Sequence, residues 1–180
     1  MNRAFSAGDP KANSVGLLPV ALQVLHNNYS AGFLSVAVSE RNGLPELIWR
    51  EQDALYRLPI GLGRPVVSQL SFRGDHYHIA ALGRFTHDEE ERAVFYIRLE
   101  FLETPCVRIL KLVSCSDGIL LRLSETPGIP YVTKHLTAAA EQPLYRPLLL
   151  VGLGGSEEDF LRYKAQQLLA PELFLREISQ

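Results

Sequence analysis

From Gly32 onward, hydrophobic and polar side chains alternate. Leu34, Val36 and Val38 fall on one side of the chain; Phe33, Ser35 and Ala37 fall on the other. A period of two marks a strand with one buried face. Further strands are predicted over 47–49, 54–60, 66–72, 76–82, 92–102, 107–113 and 119–123. The clearest is 92–102, where Phe95, Ile97, Leu99 and Phe101 share one face and Tyr96, Arg98 and Glu100 the other. Arg41-Asn42-Gly43, Arg73-Gly74-Asp75 and Ser116-Asp117-Gly118 separate strands and carry hairpin residues that tolerate positive φ. Short strands joined mainly by tight turns predict an antiparallel meander. The expected class is mainly β (α+β), closed as a lipocalin-like β-barrel or packed as a sandwich.

The period changes on either side of this region. Leu17, Leu18, Ala21, Leu22, Val24 and Leu25 have helical spacing, so a helix is expected over 14–28. Ser14 would cap it and Pro19 would lie in its first turn. Residues 1–13 are polar and small and read as a flexible lead-in. Beyond Pro130, helices are expected over 131–141 and 157–169, the second capped at Ser156 with Asp159 in its first turn. The predicted organisation is a lead-in over 1–13, a β domain with an N-terminal helix over 14–130, and a helical extension over 131–180 packed on it. The extension is apolar but broken by Pro143, Pro147, Gly152 and Pro171. It is therefore the expected docking element for a partner or a second copy of the chain.

Composition narrows the classes. A chain of 180 residues, 47% of them hydrophobic, buries a core without help from a metal or disulfide. Basic and acidic residues number 18 and 20, for a net charge of −2, with no basic stripe of the kind a nucleic-acid binder presents. The charge run Asp88 to Arg92 reads as a solvated turn between strands. Cys106 and Cys115 lie in apolar surroundings and are expected as reduced thiols, with a disulfide as the alternative if they face each other across a hairpin. The start of the chain has no apolar stretch of signal-peptide length, and no segment reaches the ~20 residues that span a bilayer. The expectation is a cytoplasmic location.

Candidate chemistry is sparse. His76 and His78 with His87 offer imidazoles for zinc, but Tyr77, Ile79 and Ala81 make the opposite face of that strand the core. Those histidines then face solvent, and no metal or other cofactor is expected. Gly152-Leu153-Gly154-Gly155 lacks the Lys-Ser/Thr of a phosphate loop and reads as a joint before a helix cap. Glu103 and Glu125 each begin a Glu-Thr-Pro triplet, which invites an acid–base pair. The residue before a proline is pushed to extended geometry. Thr104-Pro105 and Thr126-Pro127 therefore mark strand ends at the sheet rim, with each glutamate bonding backbone amides. Tyr29, Trp49, Tyr56, Phe72, Phe85, Phe95 and Phe101 would line the interior if the barrel is hollow.

Four segments resemble a family. Leu25 to Tyr29, Leu58 to Gly63, Phe101 to Lys111 and Leu123 to Gly128, in that order, resemble the C-terminal accessory region of the bacterial beta-lactamase-related, penicillin-binding-protein-like serine hydrolases. The catalytic part of that family carries S-x-x-K, Y-x-N and K-T-G elements. No serine here has lysine three places later, no tyrosine has asparagine two places later, and K-T-G is absent. The resemblance thus implies a non-catalytic domain that packs on a serine hydrolase domain or shapes access to it. The alternatives are a barrel that binds an apolar small molecule and a hydrolase built on Glu103 or Glu125.

Overall fold

The computed structural model describes residues 3–6, 15–30, 32–51, 54–128 and 170–178. The strands, in chain order, are β1 (Arg3–Ser6), β2 (Phe33–Arg41), β3 (Leu44–Glu51), β4 (Leu55–Pro59), β5 (Gly61–Leu62), β6 (Val66–Phe72), β7 (Asp75–His87), β8 (Ala93–Phe101), β9 (Val107–Ser114), β10 (Gly118–Thr126) and β11 (Glu172–Glu177). One helix is described, α1 (Val20–Leu25). The strands form a single sheet in the order β4-β3-β2-β1-β11-β10-β9-β8-β7, with β6 and then β5 following one another along the outer edge of β7. Every pairing is antiparallel except β5 with β7.

The sheet curls into a nearly closed barrel. The chain makes the closure by changing partners: Leu55 to Pro59 pair with β3, and Gly61 and Leu62 then pair with Leu82 and Gly83 of β7. Ile60 between them donates its amide to Pro45 of β3. Further along, β4 and β6 do not pair with each other, and the seam is filled by Tyr56 against Phe72, with ring centroids 4.5 Å apart. Closure removes most of the exposed edge that an open sheet would offer to other chains.

The expected meander is present, and alternation sets its inner face. Tyr77, Ile79 and Ala81 of β7 point inward, as do Phe95, Ile97, Leu99 and Phe101 of β8, and all are buried. On β2 strict alternation fails. A register shift between Phe33 and Ser35 puts both Phe33 and Val36 in the core, while Leu34 is only half-buried. A bulge of this kind inserts one residue and moves the next side chain to the other face.

Three expectations are corrected. The lead-in over 1–13 contains β1, whose Phe5 is buried and whose backbone joins β2 to β11. The extension over 131–180 contains β11, which is hydrogen-bonded along both edges, to β10 and β1, and buries Leu175. These two short strands bridge the ends of the sheet, so the β domain is not confined to 14–130. Gly118 makes this joint possible: a Cβ there would lie 2.1 Å from the Leu175 carbonyl oxygen, so only glycine lets β11 approach. The helix expected over 14–28 is only α1, because Val15 to Pro19 run non-helically and bond to barrel side chains. Ser14, the helices expected over 131–141 and 157–169, and the Gly152–Ser156 joint lie outside the described residues.

Cys106 and Cys115 are free thiols at opposite ends of β9. At ~3.4 Å per residue they are separated by roughly 30 Å, so the hairpin disulfide cannot form. Burial pushes the Cys106 thiol above its ordinary pKa.

Phe101 is 1% exposed and meets Tyr77 edge-on. Phe101→Ala is expected to cost about 3–5 kcal/mol in urea unfolding. A loss under about 1 kcal/mol would show that the inner face of β8 is misassigned.

Candidate functional site

The two ends of the barrel differ in chemistry. One end is stopped by Val15 to Asn28. Leu17, Leu18 and Leu22 enter the core, with Leu17 and Leu22 at 0% exposure. A peptide segment that ends a barrel in this way must still satisfy its amides and carbonyls. The barrel wall supplies the partners. Glu51 Oε1 accepts from the Leu17 amide at 2.8 Å and from Trp49 Nε1 at 3.1 Å, and its Oε2 accepts from the Ser30 hydroxyl. Arg108 donates to the Gly16 carbonyl at 2.8 Å, and Glu125 Oε2 accepts from the Val20 amide at 3.0 Å. The first turn of α1 is thus capped from β10.

Arg108 and Glu125 stand opposite each other in the β9–β10 register and form an ion pair with 0% side-chain exposure on both sides. Burial pushes the Glu125 carboxyl up and draws the Arg108 guanidinium down, and each partner opposes the other's shift. Among the described residues, Arg108 Nε and Glu125 Oε1 have no hydrogen-bond partner. Around this centre, Gln23 donates to the Leu18 carbonyl, and Asn28 donates to the Phe72 carbonyl and to Asp75. Tyr77 and His26 meet at 2.6 Å with stacked rings. Burial, with the Asp75 and Glu103 carboxylates nearby, raises the Tyr77 phenol above its ordinary pKa.

The opposite end holds an apolar cavity of about 130 Å³ that opens at the mouth of the barrel. Phe5, Val38, Phe85, Phe95, Leu112 and Ile119 are among its walls, and Ser114 is the single polar side chain there among the described residues. Gly83 lies behind Phe95, one of its walls. A Cβ at that position would sit 2.6 Å from Ile60 and 2.8 Å from the Phe95 ring, so glycine lets those two side chains meet.

The predicted site residues separate between these ends. Phe95 lines the cavity. Trp49, Tyr56, Phe72 and Phe101 do not: all four are buried in the packed interior, with Trp49 against Phe33 and Phe72 against Tyr77. Phe85 lines the cavity, and Tyr29 is exposed. The two triplets sit at the same rim but do different work. Glu103 is exposed, accepts the His78 amide at 2.9 Å and meets His78 Nδ1 at 2.6 Å. Burial opposes its charge, but these bonds outweigh burial and hold the carboxyl below its ordinary pKa. Thr104 and Pro105 complete the turn into β9, with the Thr104 amide bonded to the Phe101 carbonyl. Glu125 is sealed in the core, Thr126 ends β10 and Pro127 follows it. The two glutamates share no partner among the described residues, and neither lines a described cavity. His76 and His78 are exposed, and no group of three His, Cys, Asp or Glu side chains among the described residues could hold a metal ion.

Sequence reasoning missed Arg108 and Glu51. A signal for Arg108 existed: it shares its strand face with Leu110 and Leu112, so a charge had to point inward and needed a partner.

No family model, curated protein or solved structure matches the chain. Among the described residues, no helix is long and apolar enough to cross a membrane.

Removing one member of a buried ion pair strands the other. Glu125→Ala is expected to lower stability by about 3–5 kcal/mol in urea. Arg108→Met combined with Glu125→Leu should cost less than the sum of the single changes, because neither charge is then left alone. Additive losses would show that the pair does not act as a unit.

Proposed function

We propose that the protein binds a small apolar molecule, or the apolar end of a larger one, at the end of its barrel opposite Val15 to Asn28. The observation that carries this reading is the cavity bounded by Phe5, Val38, Phe85, Phe95, Leu112 and Ile119. Concave apolar sites with few polar groups are the usual form of small-molecule pockets, and barrel mouths are a common place for them. The contrast within one interior supports it further: the plugged end is filled with aromatic rings and satisfied polar groups, while the other end keeps apolar space.

An accessory role beside a serine hydrolase domain rests on the sequence segments alone. The expected docking element over 131–180 contributes β11, whose edges are both used within the barrel; its residues 131–169 lie outside the described part.

Val38 lines the cavity and is half-buried, so Val38→Trp should fill the space without emptying the core. Toluene and cyclohexane titrations followed by amide chemical shifts should show saturable changes at Val38, Leu112 and Ile119. Affinity should fall at least about tenfold in the Trp variant. Absence of saturable binding, or equal binding in the filled variant, would overturn the reading.

A further inference from the structure

Resting on the apolar-ligand reading, we infer that this site selects a neutral aromatic ring over an alkyl chain or a charged amphiphile. The Phe85 and Phe95 rings stack with centroids 4.4 Å apart and planes 14° from parallel. Phe95 is buried, but Phe85 is 59% exposed although it lines the cavity. One face of Phe85 is used by Phe95; the other has no ring partner among the described residues. A half-exposed phenylalanine at a cavity mouth is an open stacking platform, and an incoming ring gains more from it than a saturated chain of equal size.

Two further observations exclude the rival ligands. Among the described residues no titratable side chain lines the cavity, and Ser114 is its only polar one. A carboxylate or ammonium drawn inside would lose water and gain no partner. The cavity is also shallow. Ile97, Leu99, Leu110, Leu121 and Leu175 are all at 0% exposure in the interior, so a long chain has no path towards the plugged end. About 130 Å³ is close to the roughly 150 Å³ of apolar cavities that take up benzene.

The test compares toluene, methylcyclohexane and decanoate on the wild-type chain and on Phe85→Leu, which keeps apolar bulk but removes the ring. Toluene is expected to bind about fivefold tighter than methylcyclohexane, and decanoate should not compete with it. In the Leu variant the preference for toluene should vanish, while methylcyclohexane affinity stays within about twofold. Because Phe85 is exposed, its replacement should leave the urea midpoint unchanged, which separates lost stacking from lost folding. Tighter binding of methylcyclohexane or decanoate, or a toluene preference that survives in Phe85→Leu, would overturn the inference and leave the apolar-ligand reading standing. If none of the three binds, both fall.

Discussion

Arg108 and Glu125 face each other across β9 and β10 with no exposure to water, and the N-terminal segment is fastened to them. Arg108 holds the Gly16 carbonyl, Glu125 holds the Val20 amide, and Glu51 holds the Leu17 amide. The need for this arrangement follows from strand number. Side chains alone just fill a barrel of about eight strands. Here β6 to β11, with β1 to β4, surround a wider interior. Some of that space must be taken up by more than the inward side chains. Val15 to Asn28 fills one end, but it brings backbone groups that would be costly to leave unbonded. The buried charges supply strong, fixed partners for those groups, and the same contacts hold the insert in one position.

The insert divides the interior into unequal halves. At its end, Leu17, Leu18, Leu22, Trp49, Tyr77 and Phe101 pack closely. At the other end, Phe5 on β1 and Ile119 on β10 are brought to one wall by β11, which pairs with both strands. The cavity therefore depends on the termini of the chain as much as on the meander between them. Gly118 and Gly83 show the same dependence locally: each permits a contact that a methyl group would block, one at the joint with β11 and one beside the cavity.

The meander was legible in the sequence because each of its strands is half-buried. Phe95, Ile97, Leu99 and Phe101 declare the inner face of β8 without help from neighbours. The short terminal strands were not legible. Arg3 to Ser6 has one inward aromatic, and Glu172 to Glu177 places Leu175 inside but leaves Phe174 exposed. Neither has enough period to stand apart from a loop, and each becomes a strand through its partners. The limits of α1 were hidden for a similar reason. Leu17, Leu18 and Leu22 fit a helical stripe, yet the amides of Leu17 and Val20 bond to distant carboxylates. The triplets at Glu103 and Glu125 look alike in sequence, but burial makes one a surface tie to His78 and the other the charge that holds the insert. Of the aromatic residues expected to line a hollow barrel, Phe85 and Phe95 border the cavity at one end, while Trp49, Tyr56, Phe72 and Phe101 are buried in the packed interior.

Amide hydrogen exchange tests the central claim, that Val15 to Asn28 is an integral stopper of the barrel. The amides of Leu17 and Val20, which bond to Glu51 and Glu125, should exchange as slowly as those of Ile97 and Leu99 in the middle of β8. Exchange of Leu17 and Val20 at the rate of a solvent-exposed loop, with Ile97 and Leu99 still protected, would contradict the account.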